Sequence, residues 1–126
     1  MDNIKNRSVL LVDDVESNIF ALSSYLETLD VHVLVAKNGK EAIEILEGGA
    51  RPAVVLLDMM MPVLDGYETL KILKGKGILE HVPVIAVTAR AMKGDRGKCL
   101  VAGAWDYISK PIDLELLKEK LSQLIG

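Results

Sequence analysis

The chain has 126 residues, of which 50% are apolar and 26% charged, and its net charge is −3 at pH 7. This length suits one domain with its own core and is too short for two, and the composition is globular rather than disordered. The acidic balance argues against direct binding of nucleic acid, and no apolar run approaches the roughly 20 residues that cross a bilayer.

Two local features set the expected compartment. The first residues, Met1 to Lys5, are polar and lack the apolar centre of a signal peptide. The chain has one cysteine, Cys99, which excludes an internal disulfide framework. Its neighbours predict a buried core thiol rather than a nucleophile. We therefore expect a cytoplasmic protein with no membrane contact.

In the first half of the chain, short apolar runs alternate with segments of helical period. Residues 8–12 are the first predicted strand, and a helix is predicted to begin after Ser17. Residues 31–36 are the second predicted strand, and Gly39 introduces a helix that extends to about Leu46. The first helix carries apolar residues at near-helical spacing: Phe20, Leu22, Leu26 and Leu29.

The same alternation continues in the second half. Residues 54–57 are the third predicted strand, and Asp65 and Glu68 form the pattern of a capping box for the third helix. Gly75 and Gly77 mark the end of that helix. The remaining predicted elements are a strand at 84–87 opened by Pro83, a glycine-containing helix between Met92 and Gly103, a weaker strand at 105–108 and a helix after Asp113.

Five successive β-α units predict an α/β fold with one parallel sheet, because right-handed crossovers cover both faces of such a sheet with helices. The natural arrangement for five strands is the flavodoxin-like doubly wound (βα)5 fold with sheet order 2-1-3-4-5. We expect a single domain over residues 1–126. The switch point of this order lies between the first and third strands, which is where ligands bind in open parallel sheets.

Polar residues follow directly on four of the predicted strands: Asp13 and Asp14, Asp58, Thr88, and Lys110 with Pro111. If the strands are parallel neighbours, three carboxylates, one hydroxyl and one ammonium meet at one edge. Carboxylates that lie so close together repel one another unless one of them is protonated or a cation is bound. An all-oxygen site without His or Cys suits Mg²⁺ rather than zinc.

Asp58 ends the most apolar of the predicted strands. A carboxylate in such a place can act as a nucleophile toward phosphorus and form an acyl phosphate. Mg²⁺ and Lys110 would offset the charge on the transferring oxygens. Thr88 offers a hydroxyl donor, and Ala89 is small enough to let a phosphoryl group approach. Together these residues predict a phosphoryl acceptor site.

From about Ser8 to Leu124 the chain resembles the receiver domains of two-component response regulators. The matching motifs are Val-Asp-Asp at 12–14, Leu-Asp-Met-Met-Met-Pro at 57–62 with Asp65-Gly66, Thr88-Ala89, and Lys110-Pro111. One pair of these motifs alone would be weak evidence for the family, whereas the full set, in this order over the whole chain, is highly specific for it. The stretches at 12–18 and 91–96 are most similar to receivers attached to hybrid histidine kinases.

The resemblance implies a role for each matching residue. Asp58 takes the phosphoryl group from a phosphohistidine of a sensor histidine kinase or histidine phosphotransfer domain. Asp14, Asp58 and the backbone carbonyl of Met60 hold Mg²⁺, and Asp13 helps through a bound water. Lys110 pairs with the carboxylate or the phosphoryl oxygens, and Thr88 binds the phosphoryl group once it arrives. Val15, Ser17 and the exposed side of the first helix would face the donor.

The resemblance also implies a conformational switch. Thr88 moves toward the phosphoryl group, and Tyr107, at the position of the family's switch aromatic, turns into the space. The surface formed by the fourth helix, the fifth strand and the fifth helix then changes. To shift the domain from mostly inactive to mostly active, the phosphoryl group must stabilise the active state by about 5 kcal/mol more than the inactive state. A few charge-assisted hydrogen bonds of roughly 1.5–3 kcal/mol each can supply this difference. Tyr107 could equally be a packing residue. The Lys110–Pro111 bond is expected to be cis.

Three features give this chain its own character. Met60 and Arg90 are the residues two beyond the acceptor and the threonine, and neither is an obvious general base for water. We therefore expect the domain to lose its phosphoryl group slowly and not to be an enzyme in the ordinary sense. Glycines weaken the fourth helix, which we expect to be mobile. Trp105 either marks a partner surface or covers the edge of the core.

Other functional classes fit less well. A phosphatase with an aspartyl-phosphate intermediate usually carries a second carboxylate at the position that Met60 occupies. A cofactor-binding flavodoxin-like module would need a loop that accepts phosphate after the first strand, where Asp13 and Asp14 would repel it. A degenerate receiver that serves only as an interaction module would be expected to lack one of the key residues, yet all are present.

Overall fold

Five parallel strands form the centre of the molecule. The computed structural model describes residues 6–61, 64–89 and 95–125, with the backbone alone at 95 and 96. The strands are β1 (Ser8–Val12), β2 (His32–Ala36), β3 (Val54–Asp58), β4 (Val84–Thr88) and β5 (Asp106–Ser109). They are paired in the order β2-β1-β3-β4-β5 and every pair is parallel. The predicted doubly wound order is therefore confirmed.

Helices connect the strands and cover both faces of the sheet. They are α1 (Glu16–Thr28), α2 (Gly39–Glu47), α3 (Gly66–Gly75), α4 (Asp95–Ala102) and α5 (Leu114–Ile125), with a 3₁₀ turn at Ile78–Glu80. The side chains of α1 and α5 pack in one core cluster, and those of α2, α3 and α4 pack in the other. Pro62, Arg90 and the first part of the predicted fourth helix lie outside the described residues.

β1, β3 and β4 are almost uninterrupted apolar runs because both faces of these strands are buried, whereas the edge strands β2 and β5 are partly exposed. In β1, Val9 and Leu11 point to the α1 and α5 side, whereas Leu10 and Val12 point to the α2, α3 and α4 side. All five residues of β3 are buried. This packing holds the sheet rigidly between two helical layers, so that the ends of its strands are fixed relative to one another.

Side-chain caps mark the starts of α2 and α3, and Asp113 caps α5 in the same way. The Asp65 side chain accepts a hydrogen bond from the Glu68 N–H (2.8 Å), while the Glu68 carboxylate accepts one from the Asp65 N–H (3.3 Å), so the predicted capping box is present. In α2 the Asn38 side chain accepts from the Glu41 N–H at 2.8 Å. The N–H groups in the first turn of a helix have no backbone acceptor within the helix, so hydrogen bonds from these N–H groups to side chains stabilise the helix start.

The first helix departs from the prediction in two respects. It begins at Glu16, two residues before the predicted start, because the Ile19 N–H already bonds the Val15 carbonyl (3.0 Å). Leu22 and Leu26 are buried and Leu29 is partly buried, but Phe20 is 73% exposed. At 100° per residue, Phe20 is turned well away from the buried side chains at positions 22 and 26, so its expected place in the apolar stripe was wrong.

Candidate phosphoacceptor site

Four strand ends lie along one edge of the sheet. Asp58 and Thr88 are the last residues of β3 and β4, Asp13 and Asp14 follow β1 directly, and Lys110 follows β5 directly. Parallel pairing sets Asp58 beside Val87 and Thr88 beside Ser109. The edge includes the gap between β1 and β3, where the order of the sheet reverses and ligands bind in folds of this kind.

The carboxylates of Asp13, Asp14 and Asp58 form an acidic cluster. Each offers one oxygen, and these oxygens lie within 4.8 Å of one another. Asp13 and Asp58 are 3% and 2% exposed, whereas Asp14 is open to solvent. The Asp13 carboxylate is oriented by the Val15 N–H (2.9 Å) and the Asn18 side-chain amide (3.4 Å). The sequence motif predicted the aspartates, but nothing in it pointed to Asn18.

Asp58 is held between two donors. Its Oδ2 lies 3.2 Å from Lys110 Nζ, and its Oδ1 accepts a hydrogen bond from the Met60 N–H at 3.0 Å. Burial raises the pKa of the Asp58 carboxyl above its ordinary value, and the nearby Asp13 adds to that rise. The Met60 N–H and the Lys110 ammonium act in the opposite direction and lower the pKa, without cancelling the effect of burial.

The segment after Asp58 is fixed by backbone hydrogen bonds. The Met59 N–H donates to the Val87 carbonyl (2.9 Å), and the Gly66 N–H donates to the Met59 carbonyl (3.3 Å). Gly66 packs so closely that an added Cβ would lie 2.6 Å from the Met59 Cα. Because α3 therefore abuts this segment, the Met60 backbone stays within reach of the Asp58 carboxylate.

The β4 and β5 ends complete the edge. Thr88 is 5% exposed, and its carbonyl accepts a hydrogen bond from the Lys110 N–H (2.7 Å). The Lys110–Pro111 peptide bond is cis, as expected. Ala89 is exposed, and Tyr107 is half-buried against the cluster of α2, α3 and α4 side chains. All of the predicted site residues except Tyr107, which lies within β5, are thus at the described strand ends or within two residues of them.

The donor set fits a hard divalent cation. Three carboxylates offer oxygen ligands only, and no His or Cys belongs to the cluster. Mg²⁺ prefers one or two carboxylates, retained waters and phosphate oxygens. The buried like charges of Asp13 and Asp58 also need a counter-charge beyond that of Lys110.

The edge is bordered by a groove of about 440 Å³ between α1 and the segment after β5. Asn18, Ala21 and Leu22 line it from α1, and Ile112 and Leu114 line it from the other side. The groove also reaches Asp13 and Lys110, so it opens directly onto the acidic cluster.

No helix among the described residues is long and apolar enough to span a membrane.

Comparisons with known proteins agree on one family. A family model described as "Response regulator receiver domain" matches residues 9–122. Among curated proteins, the polar-differentiation response regulator DivK of Brucella anthropi is 37% identical over 120 residues, which cover 95% of this chain and 97% of the relative. The same regulator from Brucella ovis is 35% identical over 120 residues, with the same coverage.

Solved structures share both fold and sequence with the chain. The receiver domain of a sensor histidine kinase from Pseudomonas aeruginosa, with a magnesium ion in its active-site cleft, has a TM-score of 0.86 and 35% identity and covers 96% of this chain and 98% of its own. A yeast (Saccharomyces cerevisiae) receiver domain, crystallised with a histidine phosphotransfer protein, has a TM-score of 0.88 and 29% identity. The match covers 96% of this chain and 90% of the yeast chain.

Proposed function

The chain belongs to the response regulator receiver domains of two-component signalling, and on that premise we propose that Asp58 is its phosphoacceptor. The observation that carries this proposal is the environment of the Asp58 carboxylate. It is buried at the end of β3, 3.2 Å from the Lys110 ammonium and within 4.8 Å of the carboxylates of Asp13 and Asp14. Its two oxygens are engaged separately, one by the Lys110 ammonium and the other by the Met60 N–H.

The reaction is transfer of a phosphoryl group from a phosphohistidine to Asp58. A carboxylate oxygen of Asp58 attacks phosphorus, an O–P bond forms, the P–N bond breaks and the histidine imidazole leaves. Lys110 stabilises the charge on the phosphoryl oxygens as it develops. The Asp58 carboxylate attacks through one oxygen while the Met60 N–H orients the other.

The proposed metal ligands are Asp13, through a bound water, Asp14, Asp58 and the backbone carbonyl of Met60. When bound, Mg²⁺ supplies positive charge beside the acceptor oxygen and offsets repulsion among the carboxylates. The magnesium ion in the cleft of the Pseudomonas receiver supports this assignment. The all-oxygen donor set of this chain supports it independently.

The proposed response begins at Thr88. The phosphoryl group adds nearly two negative charges and three acceptor oxygens, which attract the Thr88 hydroxyl and the Ala89 N–H. Tyr107 then turns toward the vacated space, and the surface of α4, β5 and α5 changes. Tyr107 is already half-buried beside α4 and the sheet, so a small rotation of its ring alters the surface presented to a downstream protein.

The proposed donor is a sensor histidine kinase or a histidine phosphotransfer domain. The groove between α1 and the segment after β5 opens onto the acidic cluster and is lined mainly by apolar side chains. An apolar ridge of a helical donor could pack there while its histidine approaches Asp58. The yeast receiver crystallised with a histidine phosphotransfer protein supports this class of donor.

The deciding experiment measures the intact mass of the protein after incubation with acetyl phosphate, with and without Mg²⁺. We expect a Mg²⁺-dependent gain of one phosphoryl group, absent in Asp58→Asn. Asp30→Asn is the matched control, because it makes the same chemical change at an exposed residue whose φ of 60° an asparagine adopts readily. A folded wild-type protein that gains no mass from acetyl phosphate or from a phosphohistidine donor would overturn the proposal.

A further inference from the structure

Three consecutive methionines follow the acceptor, and they differ sharply in exposure. Met59 and Met61 are 1% and 7% exposed, whereas Met60 is 58% exposed. The two buried side chains belong to the core cluster beneath α2 and α3. The Met60 thioether is therefore open to small solutes beside the candidate phosphoacceptor site, and its two neighbours serve as internal controls.

The backbone of Met60 contacts the acceptor directly. Its N–H donates to Asp58 Oδ1 at 3.0 Å, and the hydrogen bond of the Met59 N–H to β4 fixes the preceding residue. A chemical change in the Met60 side chain thus occurs on the residue that touches the acceptor carboxylate. The unmodified thioether is a weak hydrogen-bond acceptor and offers little to a water molecule.

We propose that Met60 is a site of oxidation by hydrogen peroxide, and that its sulfoxide shortens the lifetime of the phosphoryl group on Asp58. The second part rests on the proposed function. In the oxidation, one peroxide oxygen is transferred to the Met60 sulfur, the O–O bond breaks and water leaves. The sulfur is oxidised to the sulfoxide, and the peroxide is reduced.

The sulfoxide acts on hydrolysis through its oxygen. This oxygen is a strong hydrogen-bond acceptor, and it can hold a water molecule at the mouth of the site, where the thioether cannot. The held water attacks phosphorus, the bond between phosphorus and the Asp58 oxygen breaks, and inorganic phosphate leaves with the oxygen and protons of that water, which restores the carboxylate. Met60 is then a positioning residue, because the sulfoxide orders the water and takes no proton from it.

The first test is selectivity of oxidation. The folded protein is treated with dilute hydrogen peroxide, digested, and the peptide that contains residues 59–61 is fragmented to locate any added oxygen. We expect oxygen at Met60 well before Met59 or Met61, and equal rates for all three after unfolding in urea. Equal rates in the folded protein would overturn the proposed site, whatever the outcome of the phosphorylation experiments.

The second test is the lifetime of the acyl phosphate. Each protein is phosphorylated and its loss of phosphate is timed before and after peroxide treatment. We expect the treated wild type and Met61→Leu to lose phosphate several-fold faster than their untreated forms, and Met60→Leu to show no such difference. Methionine sulfoxide reductase should restore the original lifetime. Met60→Gln, which carries a fixed amide oxygen, should lose phosphate faster than Met60→Leu without peroxide.

The two failures are distinguishable. An unchanged lifetime in a wild type shown by mass to be fully oxidised at Met60 would overturn the proposed consequence. A protein that accepts no phosphoryl group even before treatment would overturn the proposed function and this consequence together. The selectivity test still decides whether Met60 is the oxidised residue, because it needs no phosphate.

Discussion

Lys110 Nζ lies 3.2 Å from Asp58 Oδ2, although the two residues come from strand ends that are not adjacent in the sheet. β4 lies between β3 and β5. The Lys110 side chain must therefore extend past Thr88, the last residue of β4, to reach the Asp58 carboxylate. This ion pair positions a cation beside a buried carboxylate, and a preorganised charge of this kind is what the proposed phosphoryl transfer requires.

Replacing Lys110 tests that role. Lys110→Ala should slow phosphoryl transfer from acetyl phosphate about 10²–10³-fold, the usual effect of removing one group that stabilises a transition state. Lys110→Arg should retain part of the rate, since it keeps the charge with a different geometry. Single-turnover mass measurements give the rates. Lys71→Ala, at an exposed position of α3, is the matched control, and an equal loss there would refute a specific role for Lys110.

The stability of the metal-free protein should depend on pH through Asp58. Burial raises the folded-state pKa of this carboxyl above its ordinary value of 3.8. Between the ordinary and the raised pKa, the folded state binds more protons than the unfolded state, so the free energy of unfolding falls as pH rises through that window. Above it, the wild type should be less stable than Asp58→Asn, which has no such charge.

Urea unfolding of both proteins in the presence of a chelator, from about pH 4 to about pH 8, measures this difference. The two curves should converge at the acidic end, where the Asp58 carboxyl is protonated and resembles an amide. A wild type that is as stable as Asp58→Asn at neutral pH would contradict a raised pKa of the Asp58 carboxyl.

Mg²⁺ should stabilise the folded protein. At about 100 times its Kd, a ligand that binds only the folded state adds about 2.7 kcal/mol to the free energy of unfolding. We expect this gain in the wild type, its loss on addition of a chelator, and a much smaller gain in Asp14→Asn. Thermal unfolding with graded Mg²⁺ measures it, and Asp30→Asn should respond like the wild type. A gain of equal size in Asp14→Asn would remove Asp14 from the proposed ligands.

Thr88 should couple phosphorylation to the rest of the domain. Trp105, the only tryptophan in the chain, lies two residues before Tyr107 and is 43% exposed, so its fluorescence can report on that surface. Phosphorylation should change the fluorescence of the wild type and of Thr88→Ser. Thr88→Ala should still gain mass but show little change, because it lacks a hydrogen bond to a charged group of roughly 1.5–3 kcal/mol. A full fluorescence change in Thr88→Ala would exclude this route.

Gly66 should be required for close packing of α3 against the acceptor segment. An added Cβ there would clash with the Met59 backbone, so Gly66→Ala should destabilise the fold by about 1–3 kcal/mol. Gly75→Ala is the control, because nothing lies within 4 Å of a Cβ at that position. It should be neutral or stabilising by about 0.4–1 kcal/mol. Chemical unfolding compares them, and equal effects would show that the contact with Met59 is unimportant.

Much of the fold follows from local pattern. The buried strands β1, β3 and β4 are continuous apolar runs because helices cover both faces of the sheet, and this pattern is legible without coordinates. Asp65 marks the start of α3 through its capping hydrogen bonds, and Gly77 marks the end through its left-handed backbone with a φ of 75°. Local pattern does not give the first residue of every helix. α1 begins at Glu16, before Ser17, because the first hydrogen bond of the helix joins the Ile19 N–H to the Val15 carbonyl.

The sequence by itself determined the succession of strands and helices along the chain, the polar residues at the strand ends and the family, because apolar period and short motifs are local properties. Only the tertiary structure decided that Asn18 orients Asp13, and that Phe20 and Met60 are exposed while Met59 and Met61 are buried. Exposure and distance depend on how separate elements pack against one another, and residues of the same type along the chain give no signal of that packing.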